Sequence, residues 1–260
     1  MHTERAITPQ ELGQRIADFP PPAIVDVRRQ DAFERDPRVI PGATRRLPGA
    51  VAEWSRTLDA WRPVVVYCVK GHEVSIDAAH ALHERGFDAR HLAGGLEGWR
   101  ASGGSILPYA EPSRWVTRER PKVDRIACPW LVRRFVDPAS EFFYVPAGEV
   151  ESFARSHGAT PFDVAGAEYG HQGDRCSFDA FIRIHELHDD ALDRLAVIVR
   201  GADTGAPSLA AESPGLLALS RGLSTLFSED HAMLRAGMMM YDALYLRCRA
   251  QVRESQAAAT

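Results

Sequence analysis

The apolar positions of this chain switch between short unbroken runs and helical spacing. Ala23-Ile24-Val25-Asp26-Val27 and Pro63-Val64-Val65-Val66-Tyr67 are β-branched runs with no polar alternation, the mark of strands buried on both faces. Ala89-Arg90-His91-Leu92 predicts a shorter third strand. Residues 6–16 predict a short strand or turn and then a helix, with Thr8 at the N-cap, Pro9 at N1 and Glu11 at N3, stopped by Pro20-Pro21-Pro22. Further helical spacing covers Gln30 to Arg35, Val51 to Ala60 and Ser75 to Arg85, the last ended by Gly86. A final helix begins at Gly94-Gly95-Leu96-Glu97-Gly98-Trp99. Strands alternating with helices on short connections predict an α/β domain with a parallel, helix-covered sheet.

Residues 103–113 have the Gly/Pro/Ser density of a linker, and beyond them the texture changes. Helices are predicted at Arg125–Val136, Glu149–Ser156, Ser177–His185 and Asp190–Arg200, with a strand at Glu141–Val145 and a glycine-punctuated loop over 165–176. Two long amphipathic helices, about 214–227 and 229–251, close the chain. The expectation is therefore two domains, residues 1–108 as α/β and residues 109–260 as a mostly helical α+β domain. A chain of 260 residues is long enough for each to bury its own core.

Composition narrows the function classes. Apolar residues make up 45% and charged residues 25%, ordinary for a soluble globular protein. A net charge of -4 leaves no electrostatic footprint for nucleic acid or an anionic membrane. The polar opening Met1-His2-Thr3-Glu4-Arg5 leads into no apolar stretch, so no secretory signal is expected, and no run is long enough to span a membrane. The four cysteines Cys68, Cys128, Cys176 and Cys248 are far apart and form no CxxC pair, which argues against a zinc ribbon or a disulfide framework. A cytoplasmic protein with reduced thiols is expected.

Parallel α/β sheets place their sites at the carboxyl ends of strands, and Cys68 follows directly on a predicted strand. The segment Val69-Lys70-Gly71-His72-Glu73-Val74 leads from it into the predicted helix at Ser75. Loop N–H groups and the helix dipole there favour an anion on the sulfur, a nucleophilic thiolate. Lys70 and His72 add positive charge, and Gly71 permits a tight turn. A buried strand-end cysteine in an inert loop has the same local pattern, so the residues alone leave both readings open. The Asp26-Val27-Arg28 strand end, Ile40-Pro41-Gly42-Ala43, Cys68-x-x-Gly71 and Gly94-Gly95-x-x-x-Trp99 stand in the order they have in rhodaneses, which residues 5–102 resemble.

The resemblance implies a sulfurtransferase that needs no cofactor and holds a persulfide on Cys68. Its small sulfur-containing or oxyanion substrate would be bound by Lys70, Gly71, His72, Glu73, Val74, Ser75 and Arg28. Two departures stand out. Val39 occupies a position that is histidine in many rhodaneses, and the Cys68 loop is slightly longer than the usual sulfurtransferase cradle. A longer loop is similar to that of the arsenate reductases and phosphatases of this fold, but Val74 stands where those have an arginine.

In the second half, three stretches resemble the C-terminal domain of chromate-resistance proteins of the ChrB type. They are Trp115-Val116-Thr117-Arg118-x-Arg120-Pro121-Lys122-x-Asp124-Arg125-Ile126-Ala127-Cys128-Pro129-Trp130-Leu131, Gly166-Ala167-Glu168-x-x-His171-x-Gly173-Asp174-x-Cys176-Ser177-Phe178-Asp179 and Val199-Arg200-Gly201-Ala202-Asp203. That resemblance implies a link to chromate resistance. Sulfur transfer is one reading, thiol- or metal-dependent reduction of an oxyanion such as chromate a second, and a non-enzymatic chromate-responsive regulator a third. The lack of a basic stripe counts against the regulator. Residue chemistry adds an independent candidate: Glu168, His171 and Asp203 supply carboxylate and imidazole, a hard or borderline divalent-metal set, with Asp124 and Cys176 as further ligands. The competing reading has Glu168 and Asp203 capping helices or pairing with Arg125 and Arg200. Arg118, Arg120, Lys122 and Arg125 form either an oxyanion receptor or a solvated basic face, Cys128 is either a second thiol activated at the Cys-Pro helix start or a core residue, Cys248 is a core residue, and His185 and His188 are solvated.

Overall fold

A computed structural model describes residues 5–258, and the chain divides into two compact units, Met1–Glu111 and Pro112–Thr260. In chain order the first unit contains β1 (Ala6–Ile7), α1 (Pro9–Ile16), β2 (Ala23–Asp26), α2 (Gln30–Arg35), β3 (Arg38–Val39) and β4 (Ala43–Arg45). It continues with α3 (Val51–Trp54), β5 (Val64–Tyr67), α4 (Glu73–His83), β6 (Ala89–Leu92), α5 (Gly95–Ala101) and β7 (Leu107–Pro108). Five strands form one sheet in the order β1-β6-β5-β2-β4, every pairing parallel. This is a rhodanese-like sheet with helices on both faces.

The unbroken apolar runs follow from that burial. On β5, Val64 and Val66 pack with Val25, Trp54, Ala78 and Leu82 on the α3/α4 side, while Val65 and Tyr67 pack with Ile7, Ile24, Leu92 and Trp99 on the α1/α5 side. A strand covered on both faces has no position where a polar residue would meet water. Helix α1 starts in the capping box predicted for it: Thr8 Oγ1 accepts from the Glu11 N–H at 3.2 Å and the Glu11 carboxylate accepts from the Thr8 N–H at 2.8 Å.

Three expectations for this unit change. Helix α3 ends at Trp54, because the Thr57 hydroxyl bonds the Trp54 carbonyl at 2.7 Å and the chain tightens into a 3-10 turn over Ser55–Thr57. Helix α4 begins at Glu73, so Ser75 lies inside its first turn. Residues 103–111 are no free tether: β7 pairs antiparallel with β3, the Tyr109 N–H bonds Pro37 O at 2.8 Å, and the Trp99 indole N–H bonds Ser105 O at 2.8 Å. Gly104 lies so close under that indole that a Cβ would meet the ring at 2.2 Å. Gly104 thus serves close packing, while Gly103 supplies the positive φ of the turn, +83°.

Arg28 also departs from its expected role in substrate binding. It is 1% exposed and forks onto Asp26, with Nε 2.8 Å and Nη2 2.5 Å from Oδ2. Its remaining donors reach Asp36 O at 2.8 Å and Arg38 O at 3.0 Å, and the Tyr67 hydroxyl completes the Asp26 shell at 3.2 Å. Arg28 therefore ties the end of β2 to the α2–β3 connection and leaves nothing for a substrate.

The second unit is mostly helical around a small parallel sheet. Its elements are β8 (Arg114–Arg118), α6 (Asp124–Leu131), which runs into a π-helical turn over Val132–Val136, β9 (Glu141–Val145), α7 (Val150–His157) and β10 (Thr160–Pro161). Then come α8 (Ser177–Ile184), α9 (Asp190–Asp203), α10 (Ser213–Leu226) and α11 (Asp230–Ala258). The sheet order is β10-β8-β9. Trp115 on β8 centres an aromatic cluster with Phe142, Phe162, Tyr169 and Phe181. His185 joins it, its rings 6.3 Å apart, and is partly buried rather than solvated; burial lowers its pKa. Asp242 of α11 accepts from Trp130 Nε1 at 2.8 Å and from Arg134 Nε at 2.9 Å, which fastens α11 to α6 and its π turn. No helix of the described residues is long and apolar enough to cross a membrane.

Removing one partner of a buried ion pair strands the other charge. Arg28→Ala is expected to cost about 3–5 kcal/mol in urea unfolding of the chain, whereas Arg35→Ala, at the exposed Arg35–Asp31 pair, leaves the midpoint within error. Equal midpoints for both variants would contradict this account of Asp26.

Candidate functional site

Cys68 is the first residue beyond β5, and two glycines set its geometry. Gly71 has φ +71° and Gly95 has φ +57°, conformations that side chains rarely adopt. A Cβ on Gly71 would meet Leu92 O at 2.4 Å and Gly95 N at 2.7 Å; one on Gly95 would meet Cys68 O at 2.4 Å and Gly71 N at 2.5 Å. The loop after Cys68 thus lies directly on the Gly94–Gly95 turn. The first amides of α5 take the loop's carbonyls, with Leu96 N bonding Cys68 O at 2.9 Å and Glu97 N bonding Val69 O at 3.0 Å. Among the described residues the N–H groups of Val69 through Val74 enter no backbone hydrogen bond, so the same loop retains donors for an anion at the first turn of α4.

Cys68 as a residue is 7% exposed. The Ser75 hydroxyl lies 3.2 Å from Sγ and 3.1 Å from His72 O, and it has a single proton for the two. A negative sulfur draws that proton and gains a charge-assisted hydrogen bond. Ser75 is fully buried and therefore positions the sulfur, while Lys70, His72 and Glu73 are exposed around the loop and Val74 is half-buried. The other thiols differ. Burial pushes those of Cys128 and Cys176 well above the usual thiol range and that of Cys248 up to about 11. Cys128 is completely buried, in keeping with its reading as a core residue.

The second unit gathers a polar cluster that the sequence only partly foreshadows. Around His171 Nε2 lie Asp203 Oδ2 at 3.1 Å, Asp163 Oδ1 at 3.3 Å and Asp124 Oδ2 at 3.5 Å. The predicted pair His171 and Asp203 is brought together. Glu168 is exposed and outside this group, so it is corrected to a surface residue. The predicted pairings also differ: Arg200 forks onto Asp179, and Arg125 and Arg118 bond Asp163 Oδ2 at 3.2 and 3.1 Å.

Asp163 escaped the sequence reading because it lies on an irregular segment after β10 with φ +50°, and no periodicity marks it. Its Oδ1 accepts from the Ser177 hydroxyl at 2.9 Å, and the Ser177 N–H donates to Asp124 Oδ2 at 2.6 Å. A hydrogen bond to Asp124 and the surrounding carboxylates raise the His171 pKa to about 9, and burial together with Asp124 and Asp163 raises Asp203 to about 7. Cys176 is buried beside Asp124, and burial and that carboxylate raise its thiol pKa. Arg120 plays no part here: its guanidinium caps α10 through Phe227 O and Ser228 O.

Fold and thiol site together define a rhodanese-like domain, and residues 8–102 match the rhodanese-like domain family. Residues 115–248 match the family described as ChrB, C-terminal domain. The chain belongs to the ChrB C-terminal domain family, with the rhodanese-like domain preceding the family domain. Protein ChrB of Cupriavidus metallidurans is 33% identical over 145 residues, covering 54% of this chain and 43% of that protein; the match thus spans less than half of that relative's length. Thiosulfate sulfurtransferase GlpE of Coxiella burnetii is 38% identical over 79 residues, 30% of this chain and 71% of that protein. A rhodanese-related protein from Thermoplasma volcanium superposes with TM-score 0.36 and 22% identity over 40% of this chain and 99% of its own.

The role given to Ser75 is open to direct measurement. Ser75→Ala is expected to slow alkylation of Cys68 by iodoacetamide about ten-fold, as a hydrogen bond to anionic sulfur worth about 1.5 kcal/mol is lost, with the fold retained by circular dichroism. An unchanged alkylation rate would show that the hydroxyl serves only the His72 carbonyl.

Proposed function

We propose that the first unit is a sulfurtransferase that carries sulfane sulfur as a persulfide on Cys68, in a chain linked through its second unit to chromate resistance. The observation that carries this reading is the Cys68 loop: its carbonyls are tied to α5, its N–H groups are unused by the backbone, and Ser75 is poised to donate to Sγ. Such a cradle favours negative sulfur in both states the reaction visits, thiolate and persulfide. The Cys68 thiolate attacks the outer sulfur of a donor such as thiosulfate. The donor's sulfur–sulfur bond breaks, sulfite leaves with the electron pair, and Cys68 holds the new sulfur–sulfur bond. A nucleophile such as cyanide then attacks the terminal persulfide sulfur, forming thiocyanate and returning the thiolate. Sulfite and thiocyanate balance the atoms taken up, and no further reductant enters.

Lys70, exposed on the loop, supplies attraction for an anionic donor. Oxyanion reduction through the same thiol finds less support, because Val74 is apolar where a guanidinium fork would hold a tetrahedral oxyanion. The chain supplied with thiosulfate and then cyanide is expected to form thiocyanate, and mass spectrometry after thiosulfate alone to find one additional sulfur atom on Cys68. Cys68→Ser abolishes both. Lys70→Ala lowers kcat/KM for thiosulfate several-fold and leaves alkylation of Cys68 by neutral iodoacetamide unchanged. Full sulfur transfer by Cys68→Ser overturns the assignment, and chromate reduction through Cys68 without sulfur transfer replaces it with the reductase reading.

A further inference from the structure

Buried carboxylates in this chain are otherwise supplied with arginine. Asp26 faces Arg28, Asp179 faces Arg200 and Asp242 faces Arg134, each through a guanidinium fork. Asp124 is 0% exposed and has no arginine among the described residues. Its Oδ2 takes the Ser177 N–H, and its Oδ1 is buried with no hydrogen-bond partner. Such a group is costly to bury unless a cation meets it. Among the described residues its ion-pair partner is His171, at 3.5 Å, and three carboxylates compete for the single Nε2 of that ring. One N–H cannot satisfy three acceptors.

The same crowding is what a metal ion requires. Ligands bound at about 2.1 Å sit about 3.0–3.4 Å apart in octahedral or tetrahedral arrangement, close to the 3.1, 3.3 and 3.5 Å that separate His171 Nε2 from the three carboxylates. Ligand atoms of Asp124, Asp163 and His171 all lie within 4.8 Å of one another. We propose that Asp124, Asp163 and His171 bind a divalent cation, with Asp203 beside the imidazole as an auxiliary acidic group. Two carboxylates and one imidazole make a hard-to-borderline donor set, suited to manganese(II) or iron(II) more than to a thiolate-seeking ion. The groups around it are those of a metal's outer shell: the Ser177 N–H and hydroxyl hold Asp124 and Asp163, and Arg118 and Arg125 hold the other oxygen of Asp163. His171 is 43% exposed on a loop punctuated by Gly166 and Gly173, which have open space around them. One side of the cation therefore faces solvent, as in sites that exchange a ligand rather than structural sites closed by protein.

The test uses the full chain, stripped with a chelator and titrated with manganese(II), following free ion by electron paramagnetic resonance. One ion per chain at micromolar affinity is expected. His171→Ala and Asp163→Asn weaken binding about a hundred-fold or more, and Asp203→Asn about ten-fold. Glu168→Ala and Cys68→Ser bind as wild type does, which separates this site from the surface carboxylate and from the thiol. His171 lies on an exposed loop, so its variant serves if Asp163→Asn fails to fold. Absence of saturable binding below millimolar manganese(II), or undiminished binding by folded His171→Ala, overturns the proposal and leaves the cluster as a protonated-histidine ion-pair network.

Discussion

The contact between Gly71 and Gly95 is the constraint on which the first unit's chemistry depends. Neither residue has room for a methyl group, and both hold left-handed backbone. Their approach lets the α5 amides reach the Cys68 and Val69 carbonyls, while the loop's N–H groups stay outside the backbone hydrogen bonds. The same turn starts the helix bearing Trp99, whose indole holds residues 104 and 105 and so the return of the chain to β3. A left-handed conformation costs an ordinary residue about 1–2 kcal/mol, and here a side chain would also have to displace backbone. Glycine at these two places is thus dictated by backbone packing, and the position of the sulfur follows from it.

Burial of charge is handled in two ways. Asp26 and Asp242 are enclosed by guanidinium forks and additional hydrogen bonds from Tyr67 and Trp130, so both oxygens of each carboxylate have a donor. Replacing either pair by apolar residues would test packing, since a satisfied buried ion pair adds little net stability. The cluster of Asp124, Asp163, His171 and Asp203 is different in kind. It holds more acceptors than the imidazole can serve and leaves Asp124 Oδ1 without a strong donor. Such an imbalance is expensive for folding alone, and it is found where a ligand completes the arrangement.

The four cysteines show how surroundings divide one residue type into chemical roles. Burial holds the thiols of Cys128, Cys176 and Cys248 toward the protonated form, with carboxylates adding to the effect at each. Cys68 is also buried, yet it ends a strand at a helix first turn and has a hydroxyl donor at 3.2 Å. Exposure by itself would not separate it from the others. What distinguishes it is the supply of hydrogen-bond donors to an anionic sulfur.

Much of this was legible in one dimension. The buried strands announced themselves as β-branched runs because both faces of the sheet are covered, the α1 capping box because its two partners are three residues apart, and the Cys68 loop because strand, thiol, glycine and helix are consecutive. Each of these is a local interaction, readable from neighbours in the chain. Strand β8 was missed, since charged Arg114 and Arg118 bound a run of only Trp115, Val116 and Thr117, too short for a period. Arg28 was misread for a related reason: its partner Asp26 is near in sequence, but its burial depends on the α2–β3 connection closing over it. The polar cluster shows the limit most clearly. The chain displayed His171 and Asp203 as chemical types, and Glu168 equally well, but the choice among them required the fold. Asp124 at the start of α6, Asp163 after β10, His171 on a loop and Asp203 at the end of α9 converge only in three dimensions, because the separation that decides a ligand set is measured through space and not along the sequence.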